Sequence, residues 1–430
     1  MDIDTMKEQA SRYKPTINIQ QAPPLGGPLL FLATAWVSLF LVAWRLMTAP
    51  RQWWPAVLTS GSTLATVHIF TLGFLTMTMF GVLYQWVPVV FDRTPVSLKA
   101  MILQWSGFST GLILFVIGFA GNQGQWLAIG GSLLASSIIL FTVLMVKRVI
   151  YSSRKVDVLT ISLGIALAAI NATWILGLTM ALGFAGIIPY ANVVAEHLNT
   201  AWVGWVVMLV LTVQIKLLPM FAMARIDKLP NLPITLGISG LAVQYLANSW
   251  PVLEPFVALL WVAAGLSVVW QIWHLWRHSQ SPRHDGIFAG VLLGWILWIA
   301  GAAWLLIKPE DSIFLVALGA MTFIFSYQSR IIPFLVALFI AKKLPGPVFK
   351  AFFMAQSFNS PMLPIFSAIW SLALSVLILI GVNEQYPTFI RLAGLLLLIW
   401  PLVHISIMGR RIVQAKNSRP QAKENFGSRS

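Results

Sequence analysis

The chain reads as an all-α polytopic membrane protein of about twelve transmembrane helices, arranged as three pseudo-repeated four-helix blocks. Three observations predict this. Of its 430 residues, 58% are hydrophobic and only 10% charged, whereas about a quarter of the residues of a soluble globule are charged. Apolar runs of about 20 residues, long enough to cross a bilayer as helices, recur from Pro28 to Met408. Three long stretches at wide spacing (68–91, 197–221 and 313–335) repeat one pattern, each running through a glycine and a glutamine to a proline: Pro88, Pro219 and Pro333. Helices are expected because lipid offers the backbone no hydrogen-bond partners.

In chain order, residues 1–27 form a polar tail ending in PPLGGP, which the prolines and glycines keep irregular. Spans are expected at 28–49, 58–91, 97–120 and 125–147, then 158–185, 190–223, 233–250 and 253–276, then 286–307, 311–341, 360–381 and 386–408. The blocks fall at 28–150, 151–280 and 281–408 within one transmembrane domain (28–408), with a basic tail at 409–430. The repeated stretch is the second span of each block. The second span is unusually long, which predicts tilt or an extension past the membrane. Twenty tryptophans, many near span ends, fit interfacial belts.

The net charge of +15 raises nucleic acid as a partner, but its distribution points to a lipid bilayer instead. With the N-terminus inside, the inner segments carry 22 Lys or Arg and the outer loops 4, leaving Lys216 and Arg330 within spans. This asymmetry predicts both termini in the cytoplasm. There is no cysteine, so disulfides and thiolate metal sites are excluded. The polar first 25 residues lack the apolar core of a signal peptide, so the first span is expected to direct insertion.

Candidate chemistry rests on two intramembrane histidines. His68 lies 20 residues before Pro88; His197 lies 22, and Asn199 lies 20, before Pro219. Gly73 and Gly204 both lie 15 before their prolines. On α-helical phase Asn199, not His197, is the strict equivalent of His68, and two residues turn a side chain by about 200°. Both histidines are expected at the same depth, in the outer half of the membrane. An imidazole in a span needs a reason. It is either an axial ligand of haem iron or a hydrogen-bonded lock between helices.

Glu196 is open to three readings: a carboxylate supporting His197, a proton-pathway group, or a residue facing the outer interface. Gln85, Lys216 and Arg330 lie three residues before their prolines, and the two cations are expected to snorkel to inner headgroups. Met77 and Met79 are expected to fill gaps. His274 and His278 share a helix face and would need a third ligand such as His284 to hold a metal; otherwise they are a solvated helix end. His404 is expected to be packed or interfacial. Asn171, Asn192, Gln214, Gln244, Asn248 and Gln328 either line a pathway or lock helices together. No phosphate-binding loop, HExxH motif or nucleophile triad appears.

The stretch H-x-x-T-L-G-F-L-x-M-x-x-x-G-x-x-Y-Q-x-x-P from His68 to Pro88 resembles the second transmembrane helix of haem–copper oxidase catalytic subunits. It is nearest to subunit I of the cytochrome c oxidases of microaerobic bacteria and to the nitric oxide reductase large subunit. The run from His197 to Trp205 resembles the H-x-H-x-x-x-x-G-W helix of the same family, with Asn199 at the second histidine. In that family the histidine matched by His68 ligates the low-spin haem, the first of the paired histidines, matched by His197, ligates the active-site haem, and the second, replaced here by Asn199, ligates the low-spin haem. The resemblance therefore implies haem b, with His68 and His197 as candidate axial ligands; Asn199 and, from its place beside His197, Glu196 are expected only in supporting positions. It does not imply copper: the further histidines of a copper or non-haem iron site, and the H-P-E-x-Y stretch, are missing. The paired helix is also sixth here and tenth in the oxidases.

The expected protein is therefore a haem-binding membrane protein of the bacterial inner membrane. It would handle electrons or a diatomic gas, or assist haem or copper delivery, with a possible respiratory-chain redox partner and without being a complete terminal oxidase. The rival readings are a haem-free secondary transporter with a polar midplane site, and an assembly or scaffold subunit.

Overall fold

The computed structural model describes residues 24–417, apart from 55, 56, 58, 153, 154, 223, 225–230, 280–285, 308 and 343–361. The start of the polar tail, the end of the basic tail and His284 lie outside these. The described chain is an all-α polytopic membrane protein. Its helices are α1 (Gly26–Thr48), α2 (Gly61–Val90), α3 (Leu98–Ala120), α4 (Gly124–Ile150), α5 (Val158–Phe184) and α6 (Val194–Phe221). They continue as α7 (Leu232–Ala247), α8 (Glu254–Arg277), α9 (Ile287–Trp304), α10 (Pro309–Lys342), α11 (Met362–Asn383) and α12 (Pro387–Asn417). Eleven are long and apolar enough to cross a bilayer, while α7 is a shorter apolar helix.

Neighbours in sequence pack against one another, and α12 closes on α1. Inside this ring stand α2, α6 and α10, with 61, 83 and 72% of their spans buried against 33–56% for the other long helices. These are the three repeated stretches. Burial on every side explains why they are apolar all round. The outer helices turn Val37, Trp44, Ile113, Leu259 and Ile369 outward, as lipid-facing surfaces require.

Because lipid tails are as apolar as leucine, hydrophobicity does little to hold such helices together; close approach and hydrogen bonds do it. Both are present. A Cβ at Gly73 would meet Ser38 Oγ at 2.5 Å, and one at Gly204 would meet Ala169 Cβ at 2.6 Å. The matched glycines therefore let α2 lie close on α1, and α6 on α5. Each pair of inner helices is also joined by a hydrogen bond. Trp205 Nε1 of α6 donates to Thr76 Oγ1 of α2 (3.3 Å), Gln328 Nε2 of α10 donates to Thr78 Oγ1 of α2 (3.2 Å), and Tyr327 Oη of α10 donates to Gln214 Oε1 of α6 (3.4 Å). The ring ties in through Trp36 Nε1, donating to Gln328 Oε1 (2.9 Å), and Trp295 Nε1, donating to Gln214 Oε1 (3.2 Å). Gln214 and Gln328 thus serve as locks between helices.

Arg330 corrects an expectation. It is 3% exposed rather than snorkelling, because α10 belongs to the inner layer and its side chains meet protein on all sides. Met77 and Met79 are buried packing residues. His404 is fully buried beside the Trp36 and Trp400 rings, at 5.5 and 5.1 Å.

Replacing Gln328 by Leu removes both bonds of one lock and strands the Trp36 donor. Membrane-protein hydrogen bonds average about 0.6 kcal/mol and a stranded buried donor costs about 1–3 kcal/mol. Gln328→Leu is thus expected to lower the thermal unfolding midpoint in detergent by several degrees, while Ser136→Leu on the exposed face of α4 leaves it unchanged. Equal midpoints for the two variants would remove the lock from the account.

Candidate functional site

Helices α2 and α6 share a backbone feature that the other described helices lack. Directly after His68, α2 runs as a π-helix over Ile69–Thr76; just after His197, α6 does so over Asn199–Val207. The π-helix is rare, is mostly confined to single-turn bulges, and is frequent at functional sites. Thr76 and Val207 each lie 12 residues before their helix's proline, so the two stretches end in register. The phase of an ideal α-helix, on which Asn199 is the equivalent of His68, does not carry across backbone whose hydrogen bonds run i to i+5.

The structure brings the two histidines together. Both line one cavity of about 360 Å³ at the end of the bundle where α2 and α6 begin, walled by α2, α3, α4, α5 and α6. That volume falls in the range of small-molecule and cofactor sites, about 300–1,000 Å³. Asn199 and Glu196 do not line it. Asn199 Nδ2 instead reaches Asn248 Oδ1 at 3.5 Å, beyond the end of α7.

Each imidazole is held by one nitrogen. His68 Nδ1 lies 2.7 Å from the Leu64 carbonyl one turn back, and His197 Nδ1 lies 3.1 Å from the Thr173 carbonyl of α5. A carbonyl only accepts, so each Nδ1 carries the proton, and a neutral ring then has its lone pair on Nε2. No described residue bonds either Nε2. The His68 ring is stacked on Phe119 (centroids 4.9 Å apart, 21° between planes) with Phe115 edge-on at 5.2 Å. The His197 ring is seated on α5, where a Cβ at Gly177 would meet its Cε1 at 3.1 Å. This arrangement, with Nδ1–H on a carbonyl and Nε2 presented, is how metal-ligating histidines are oriented.

The rest of the wall is apolar and rich in flat rings: Phe115, Phe119, Trp174, Trp202 and Trp205, with no Lys, Arg, Asp or Glu among the lining residues. Trp174 is fixed by its Nε1 donating to Asn171 Oδ1 (2.9 Å), and Asn171 is itself tied to Thr142 of α4 (2.8 Å). Of the threonines inside the cavity, Thr71 and Thr173 donate to the carbonyls of Val67 and Ala169, and Thr76 accepts from Trp205. Few polar groups are left to face a ligand deep in the cavity: the Nε2 atoms of the two histidines, the Trp202 indole N–H and the Thr76 hydroxyl.

Of the described residues, His68 and His197 are the two that could hold a metal at this cavity, and the ring-rich apolar wall around them could take a flat, apolar group. They do not form a multi-ligand cage, and no three His, Cys, Asp or Glu gather as a metal-holding group among the described residues. His274 and His278 stand with their rings 4.4 Å apart at the far end of α8, away from the cavity. Sequence reasoning missed Phe119, Trp174 and Gly177, which come from helices outside the repeated stretches. Neither a protein-family model nor a curated protein sequence matches this chain.

Protein labelled with ¹⁵N only in histidine is expected to show Nδ1–H, Nε2-unprotonated rings for His68 and His197, assigned by single substitution. Nε2–H tautomers at both positions would contradict the seating described.

Proposed function

We propose that this chain is a haem-b-binding membrane protein of haem–copper-oxidase-like type, with His68 and His197 as the residues that hold the iron. It handles electrons or a diatomic gas, or assists haem or copper delivery, and is not a complete terminal oxidase. By the asymmetry of its basic residues, the site lies in the outer half of a bacterial cytoplasmic membrane, with both termini in the cytoplasm.

The observation that carries the reading is the pair of imidazoles on one apolar cavity, each anchored through Nδ1 and offering Nε2. A histidine that merely locked helices would be explained by its Nδ1 bond alone; it would not need a shared cavity beside a π-helical stretch. The haem would supply one-electron chemistry at iron. The chain's own residues do the rest. Leu64 and Thr173 set the tautomers, Gly177 leaves room for the His197 ring, and the aromatic wall keeps water out. The tryptophan and phenylalanine rings suit a macrocycle face.

The transporter reading finds less support, because the central polar residues Gln214 and Gln328 are engaged with neighbouring helices. A redox partner would meet the outer end of the bundle, nearest the cavity.

Protein purified from haem-replete cells is expected to show a Soret band, lost in the His68→Ala, His197→Ala double variant. In Gly177→Val the added side chain displaces the His197 ring; loss of an orienting contact to a metal ligand costs roughly 10–100-fold in affinity, so haem content on dilution should fall while the fold stays intact by circular dichroism. A colourless wild-type preparation would remove the haem reading.

A further inference from the structure

The cavity has a mouth, and the mouth is greasy. Of its lining residues Phe184, Tyr190, Val194 and Leu198 are 40–56% exposed, and all four sit where α5 ends and α6 begins. The connection between them, residues 185–193, folds back on α5. It turns at Gly186, whose φ of +69° suits glycine, and the Ile187 amide donates to the Leu182 carbonyl (3.0 Å). Tyr190 then packs against Gly183 and pairs its ring with Phe184 at 5.0 Å. On the outer side of this fold Ile187 and Ile188 are also exposed. A connection facing bulk water would be polar, but from Phe184 to Val194 this one carries no charged residue. A contiguous exposed apolar patch of this kind marks a membrane or ligand surface, and here it is continuous with the lipid-facing side of α5, where Ile175 is exposed.

From this we infer that the 184–198 segment lies in the boundary between headgroups and acyl chains, and that the cavity takes its ligand from the bilayer, not from water. The ligand is a planar amphiphile. Its apolar body enters past Phe184 and Leu198 toward the two imidazoles, because the wall inside is mostly apolar and the Thr71 and Thr173 hydroxyls donate to backbone carbonyls. Its polar edge stays at the rim, where exposed Thr59 and Tyr190 bring hydroxyls to the opening. The inference rests on the cavity being a cofactor site and adds the class, entry face and orientation of what enters. For haem b, it places the propionate edge outward, which suits a wall without cations.

The chain has no cysteine, so single cysteines can be labelled cleanly. Val194→Cys and Leu198→Cys, with Gln123→Cys on the exposed turn at the same end as a water-facing reference, are reconstituted in phosphatidylcholine vesicles. Each is treated with pyrene maleimide or with a sulfonated, charged maleimide. Relative to Gln123→Cys, the rim cysteines are expected to prefer the lipid-soluble reagent roughly tenfold or more, since charge is penalised in the apolar boundary. A pyrene adduct at Leu198→Cys is expected to block uptake of haem b from haem-doped vesicles. Rim cysteines that take the charged reagent as readily as the reference overturn the inference, as does unhindered haem uptake by the adduct. Selective rim labelling in a protein that never takes up haem supports the bilayer entry face and removes only the haem reading.

Discussion

The three hydrogen bonds that join α2, α6 and α10 to one another are the contacts the rest of the molecule depends on. In lipid, apolar side chains give helices little reason to prefer each other over acyl tails, so the inner trio needs polar contacts and close backbone approach. Thr76 with Trp205, Thr78 with Gln328 and Gln214 with Tyr327 supply one contact for each pair. The first of these lies at the cavity itself, since Thr76 and Trp205 both line it. The clamp that holds the bundle together is therefore also part of the wall of the site, and the outer ring of helices is arranged around both.

The π-helical stretches show how the clamp and the site are reconciled. Each begins beside a histidine and ends at the level of the clamp, at Thr76 in α2 and Val207 in α6. Widened turns let the helix present the imidazole to the cavity at one end while keeping the Thr76–Trp205 bond at the other. The third inner helix, α10, carries no histidine and is α-helical throughout. The rare backbone thus goes with the site and not with the repeat. Such local departures from the preferred geometry are expected where function constrains the chain.

Much of the fold was legible because it rests on features that sequence displays directly. Length and apolarity marked twelve helices, and the recurring Pro88, Pro219 and Pro333 marked the three that prove to be central. His68 and His197 were legible because a titratable side chain in a span is costly. What was hidden depended on tertiary contact or on backbone register. Counting from the prolines assumed α-helical phase and so made Asn199 the positional equivalent of His68, whereas the structure turns Asn199 toward Asn248 and sets His197 on the cavity. Arg330 was expected at the membrane surface because a long cation usually snorkels, but the inner layer encloses it. The seats of the two imidazoles, Phe119 and Gly177, come from α3 and α5, where an ordinary phenylalanine or glycine gives no signal of its own.

The central claim, which rests on the proposed function, is that two imidazoles, each set just before a π-helical stretch on one apolar cavity, hold a single flat cofactor between helices. A cryo-electron microscopy map of the full chain, purified from haem-replete cells and kept in a lipid nanodisc, tests this most directly. The account predicts flat density in the cavity, joined to the Nε2 side of His68 and His197, with its thick edge toward Tyr190. A cavity closed by side chains or filled by an acyl tail, with both rings bonded through Nε2 to protein, would contradict it.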